Sequence, residues 1–263
     1  MSVVLSALGA TAFQFSATFG MITVLAFFMY FVNQFARGNG STIAGKFYYF
    51  FVAPGVICHE TGHALGCILT RSRIVKFVPF HPRGNTLGYV THESHGGLWG
   101  ALSEFVIGTG PIWFGMTIVY LLGVLLGEQA GFRAIVRESA SGTVEYATAV
   151  LSSAWSFMEF VFSPSHWTHW WFFAYLYFVY CISSETTLSP TDIKASLPGL
   201  SLILLVWFLA NLVPGVTQHL DSYAFSSRHS LFYVHVTMMF TLIFDIAVSL
   251  CLRLLRAVLG AMA

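Results

Sequence analysis

The chain has 263 residues, of which 56% are hydrophobic, 17% aromatic and only 9% charged, and 12 Lys+Arg against 11 Asp+Glu give a net charge of +1. A soluble domain carries about 25% charged residues, so there is too little charge here to coat a water-facing surface, and the apolar content excludes disorder. The near-neutral balance offers no basic field for nucleic acid, which leaves a single-domain, all-α, polytopic protein of the lipid bilayer.

No charged residue precedes Arg37. That stretch is too long, and its start too poor in basic residues, for a signal peptide. It predicts a first transmembrane span over residues 12–35. Further spans are predicted over 47–70, 100–126, 168–183, 195–214 and 231–254, each near the ~20 residues that cross the hydrocarbon. The fourth is short, and Trp167, Trp170 and Trp171 mark its start as an interfacial belt. About six spans put both termini on one side. On this reading Arg71, Arg73, Lys76, Arg83, Lys194, Arg253 and Arg256 share a face, opposite Arg37, Lys46, Arg133, Arg137 and Arg228. This bias places both termini in the cytoplasm.

After the second span, residues 72–93 carry Ile74, Phe77, Val78 and Phe80, then the turn signal Pro82-Arg83-Gly84-Asn85, then Leu87, Tyr89 and Val90. This predicts a short, membrane-associated β-hairpin. Residues 127–165 mix charged and apolar residues, and Val144 to Phe162 predict an amphipathic helix lying on the membrane. Cys58, Cys67, Cys181 and Cys251 all sit in apolar runs without a CxxC and read as small buried apolar residues.

The second span carries Cys58-His59-Glu60-Thr61-Gly62-His63, an HExxH motif. Histidines four apart project from one helical face, so two imidazole nitrogens can meet one Zn²⁺. Glu60, about 100° around the helix, can reach a metal-bound water as general base. Ionisable groups at membrane depth cost about 2.5–3.5 kcal/mol each, and one zinc per chain is the compensation that fits. Gly55, Gly62 and Gly66 fall near the same stripe and let neighbouring helices approach closely. Pro54, one turn earlier, is expected to kink the span.

With these residues the chain resembles the site-2 protease family of intramembrane zinc metalloproteases. The resemblance rests on HExxH inside a span, on the basic hairpin-like segment that follows, and on Gly108-Thr109-Gly110-Pro111, which is similar to the family's Gly-Pro motif. Ile112, Trp113, Phe114 and Gly115 follow where the family has an Asn. The resemblance covers residues 47–125. It implies hydrolysis of a peptide bond in a membrane-embedded protein or peptide, by a zinc-bound water that Glu60 activates. It also implies a substrate strand paired along the hairpin, which would involve Val75, Phe77, Tyr89 and Val90.

A catalytic zinc needs a third protein ligand. The resemblance implies an Asp in a late Asn-Pro-Asp-Gly type motif. Asn211-Leu212-Val213-Pro214 and His219-Leu220-Asp221-Ser222 reproduce it only in pieces. Asp192, in Ser189-Pro190-Thr191-Asp192, is favoured because the span model puts it on the side toward which the second span carries HExxH. Asp221 is the alternative, with Glu185 behind it. Asp192 also reads as N3 of a helix capped by Ser189. Glu104 is a candidate partner for a zinc-bound imidazole. His92, Glu93 and His95 follow the hairpin and read as solvated, while His235 and Asp245 read as hydrogen-bond partners across helices. No appended substrate-filtering domain is visible, so gating would come from a regulatory membrane partner, a prior cut or the 127–165 segment. The rival readings are a catalytically silent zinc-binding or structural subunit of a membrane complex, a prenyl-protein-peptidase type of membrane zincin, and a transporter.

Overall fold

Glycine, proline and a few polar side chains decide where the long apolar stretches end. The computed structural model describes residues 3–83, 86–126 and 143–262. The first helix, α1 (Val3–Ala44), is interrupted only by a π-helical turn at Ser16–Gly20. The short α2 (Phe47–Phe51) and then α3 (Ala53–Thr70) follow. The expected single span over 47–70 is thus broken at Val52. Pro54 lies in the first turn of α3, where its missing N–H costs nothing, so it opens a helix and does not kink one. At the other end Arg71 takes a left-handed conformation with φ 59°, and Ser72 donates back to the Cys67 carbonyl at 2.8 Å. This turn folds the chain into β1 (Ile74–Val78) and β2 (Tyr89–His92).

The two strands pair antiparallel, with Phe77 opposite Val90 and Val78 opposite Tyr89, and the register slips at Val75. The predicted hairpin is therefore present. Two of its turn residues, Gly84 and Asn85, lie outside the described residues. The chain continues as α4 (Gly97–Leu126), α5 (Thr143–Val161), α6 (Trp170–Glu185), α7 (Pro190–Asn211), α8 (Val216–Ser230) and α9 (Phe232–Met262).

Among the described residues, four helices are long and apolar enough to cross a membrane: Val3–Ala44, Gly97–Leu125, Pro190–Asn211 and Phe232–Gly260. Phe27, Phe28, Phe31, Leu205, Leu254 and Leu255 face outward from them, a pattern suited to lipid and not to water.

Helix directions revise the predicted topology. α3 runs antiparallel to α4: a methyl placed on Gly62 would fall 2.7 Å from Pro111 Cα, and one on Gly66 2.7 Å from Ile107 Cα. α4 in turn is antiparallel to α7, since Gly108 lies against Ser196 and Gly199 against Phe105. α6 runs alongside α3 in the same direction, with Cys181 bonded to the Phe51 carbonyl and the Glu185 carbonyl beside His59. α6 and α7 therefore point the same way. They are two halves of one traverse, broken at residues 186–189, and not the two opposed spans expected. α1 and α9 run parallel, as the contacts Thr241–Met29, Ser249–Val32 and Arg256–Asn39 show. The two described chain ends therefore lie toward opposite ends of the bundle, where six opposed spans would bring them to one end. Arg37, Lys194, Arg228, Arg253 and Arg256 lie within helices and not in loops, so none of the five belongs in the loop-charge comparison. Arg133 and Arg137 lie outside the described residues.

Two apolar clusters meet across α9. Phe157, Phe172, Val179, Phe240 and Phe244 belong to one. Leu25, Met29, Met116 and Met238 belong to the other. α5 turns Tyr146, Val150, Phe157 and Val161 inward. Its Phe157 packs edge-on against Phe240, with centroids 4.6 Å apart. The amphipathic helix expected near Val144 is thus a packed member of the bundle, while residues 127–142 of that segment lie outside the described residues. Cys58, Cys67 and Cys181 are buried as expected; Cys251 is exposed.

Candidate metal centre

HExxH occupies the middle of α3, at the level where the α6–α7 traverse breaks. A broken helix at such depth leaves unpaired backbone groups, which are tolerated where they line a cavity or find partners. Here the break supplies two of the centre's parts. The carbonyl of Glu185, at the end of α6, accepts a hydrogen bond from His59 Nδ1 at 2.7 Å. Asp192, in the first turn of α7, brings a carboxylate to the histidines.

Asp192 is held there by a capping box. Its Oδ2 accepts the Ser189 N–H at 2.8 Å, and its own N–H donates to Ser189 Oγ at 3.2 Å. The helix-capping and ligand readings of this residue hold together. On α4, the Ile107 carbonyl accepts a hydrogen bond from His63 Nδ1 at 2.8 Å. The close approach of α3 to α4 at Gly62 and Gly66 makes that reach possible.

These bonds settle the chemistry of the donor set. A carbonyl can only accept, so each Nδ1 carries the proton and each Nε2 of a neutral imidazole presents its lone pair. The two Nε2 atoms lie 3.1 Å apart. Asp192 Oδ1 is 3.4 Å from His63 Nε2, and Oδ2 is 3.7 Å from His59 Nε2. His59, His63 and Asp192 each offer a ligand atom, all within 4.8 Å of one another. With both imidazoles neutral, two lone pairs and a carboxylate face one another, and a cation relieves their repulsion. Tetrahedral zinc with ligands at about 2.0–2.1 Å would need ligand separations of roughly 3.3 Å. The residues fit.

Glu60 is buried at 8% exposure. It lines a cavity of about 540 Å³ together with His59, His63, Asp192 and residues of the hairpin. Its carboxylate makes no hydrogen bond among the described residues, and Gly88 presses against its Cγ closely enough that a methyl there would come within 2.8 Å. Tyr89 and Val90, expected to bind substrate, border this cavity. Val75 and Phe77, expected beside them, are exposed at 59% and 44% and do not line it. The strand facing the site is therefore β2 with its approach through Thr86–Gly88.

Three sequence expectations are corrected. Asp221 is remote from the histidines and accepts a hydrogen bond from Gln14 Nε2 at 2.9 Å. The Glu185 side chain is committed to Arg37 Nη2 at 2.6 Å, so this residue serves His59 through its carbonyl. Glu104 bonds His92 Nε2 at 3.0 Å and Ser94 Oγ at 2.5 Å and does not touch the imidazoles of HExxH. Backbone carbonyls take the orienting role expected of it, and no residue type signals a carbonyl in advance. His235 and Asp245 meet their partners across helices as expected, Tyr146 at 2.6 Å and Ser183 at 2.7 Å.

Beside the polar cavity lies an apolar groove of about 620 Å³ between α1, α4 and α7. The two share Tyr30, Leu188 and Pro190. No family model, curated protein or solved structure matches the chain.

Proposed function

We propose that the chain is an intramembrane zinc metallopeptidase that cleaves a peptide bond in a membrane-embedded protein or peptide. The observation that carries this reading is the facing pair of Nε2 atoms with Asp192 beside them and an unbonded Glu60 in the same cavity. A structural zinc is closed by four protein ligands, whereas three ligands and an adjacent carboxylate suit hydrolysis. The resemblance to site-2 proteases supports the same conclusion.

A zinc ion held by His59, His63 and Asp192 would supply Lewis acidity, polarising a carbonyl and acidifying a water. Glu60 takes the proton of the attacking water and passes it to the departing amine nitrogen as the C–N bond breaks. The Glu185 and Ile107 carbonyls hold the imidazoles through the cycle. The hairpin, with Gly88 against Glu60, covers the site and offers a strand to an unwound substrate. The apolar groove beside it suits the hydrophobic flank of such a substrate. In the bilayer α1, α3, α4, the α6–α7 pair and α9 make five crossings.

The test is to reconstitute the protein in liposomes with polypeptides extracted from the membranes of its own cells, then map new N-termini by mass spectrometry. Termini that form with the wild type and not with Glu60→Gln are expected. Identical termini for both would leave a metal-binding subunit without hydrolytic activity, the alternative reading.

A further inference from the structure

Each imidazole of the centre is held by a main-chain carbonyl that a regular helix would already have engaged, because a helical carbonyl accepts from the N–H four residues on. The Ile107 carbonyl takes the Nδ1–H of His63 at 2.8 Å. It lies inside α4, and the residue four places on is Pro111, which has no N–H to give. The Glu185 carbonyl takes the Nδ1–H of His59 at 2.7 Å. The residue four places on is Ser189, whose N–H goes to Asp192 Oδ2 at 2.8 Å instead. Both acceptors that orient the histidines are thus carbonyls whose helical donor is withheld, one by a proline and the other by a capping carboxylate.

At membrane depth a freed carbonyl must find a donor, and a neighbouring helix can supply one. On that ground alone Pro111 would be a tolerated irregularity that His63 happens to relieve. The packing around it is more specific. Gly62, the residue before His63, lies where a methyl would fall 2.7 Å from Pro111 Cα, and Gly110 presses on the Gly62 carbonyl. The proline and the histidine are therefore brought together where α3 and α4 touch backbone to backbone. An N–H at residue 111 would draw the Ile107 carbonyl back along the axis of α4, away from the imidazole.

We propose that Pro111 is a positioning residue of the metal centre: by withholding an N–H it leaves the Ile107 carbonyl to His63, and so holds that imidazole with Nε2 toward His59 and Asp192. The inference rests on the proposed zinc reading of these three residues. Pro111 acts here through a missing donor and not through the kink a proline makes. Alanine at residue 111 gives α4 back a hydrogen bond, which favours the helix, and the same N–H competes with His63 for one oxygen. Stability and metal affinity should therefore move in opposite directions, which a merely structural proline would not produce.

The experiment compares wild type, Pro111→Ala, and a chain with lactic acid at residue 111, introduced by nonsense suppression. Lactic acid has the side chain of alanine and an ester oxygen in place of the N–H. Each protein is measured in detergent for zinc affinity by competition with a chelating dye, for the visible absorption of its cobalt-loaded form, and for the unfolding temperature of its metal-free form. Pro111→Ala should unfold at a higher temperature than wild type. It should nevertheless bind zinc about 10–100-fold more weakly, the usual cost of disturbing the partner of a ligating histidine, and its cobalt bands should change. The lactic acid chain should return zinc affinity to within about threefold of wild type and restore the bands. Pro111→Ala with zinc affinity and cobalt bands like those of wild type overturns the proposal. So does equal loss in the alanine and lactic acid chains, which would assign the effect to the packing of the proline ring. A wild type that binds no zinc in metal-replete buffer would overturn the zinc reading itself, and this inference with it.

Discussion

Asp192 turns one carboxylate oxygen back to the Ser189 N–H at 2.8 Å and sets the other 3.4 Å from His63 Nε2. One side chain thus starts α7 and stands beside both histidines of the candidate metal centre. The two roles separate by substitution. Asp192→Asn keeps a capping side chain, so stability should change by a few tenths of a kcal/mol, while zinc affinity falls by more than tenfold. Asp192→Ala should lose zinc and a further ~1 kcal/mol from the cap. Equal zinc affinity in Asp192→Asn and wild type, read by competition with a chelating dye, would remove Asp192 from the ligand set.

The contact of Gly62 with Pro111 couples packing to the centre. A side chain at residue 62 must push α4 away, because the nearest atoms are backbone. That moves the Ile107 carbonyl from His63 Nδ1. Gly62→Val should therefore lower stability by about 1–3 kcal/mol and weaken zinc binding as well. Gly9→Val, where no atom lies within 4 Å of the added carbon, should change zinc affinity little. Thermal unfolding in detergent with and without zinc reads both effects.

The two strands of the hairpin are unequal. Val90 pairs with Phe77 and borders the cavity, while Val75 sits at the register slip and faces outward. Val90→Pro should cut peptide turnover at least tenfold with zinc retained, and Val75→Pro should stay within about threefold of wild type. The opposite order would assign substrate binding to β1.

The parallel run of α1 and α9 fixes the relation between the termini. Epitope tags placed at the two ends and probed with protease in sealed vesicles should be cleaved from opposite faces of the membrane. Cleavage of both from the same face would contradict five crossings.

The sequence made some of this legible and hid the rest for physical reasons. HExxH could be read because both histidines sit on one helix at fixed spacing. Asp192 could be read locally as a helix start, but its meeting with His63 depends on α6 and α7 pointing the same way. That was invisible because two apolar runs separated by Thr186–Ser189 look like consecutive opposed spans. Pro54 signalled a disturbance without showing whether it bends or begins a helix. The groups that hold the two imidazoles are backbone carbonyls, which every residue carries, so the expectation fell on Glu104. His92 read as solvated because its partner, Glu104, lies on a different element.

The most direct test of the central claim is zinc per chain, by mass spectrometry of the elements, in protein purified in chelator-free detergent. Wild type, Glu60→Ala and Asp221→Ala should each hold about one zinc, and the His59→Ala/His63→Ala double variant none. Wild type without zinc in metal-replete buffer, or zinc that survives in the double variant, would contradict a centre built on His59, His63 and Asp192.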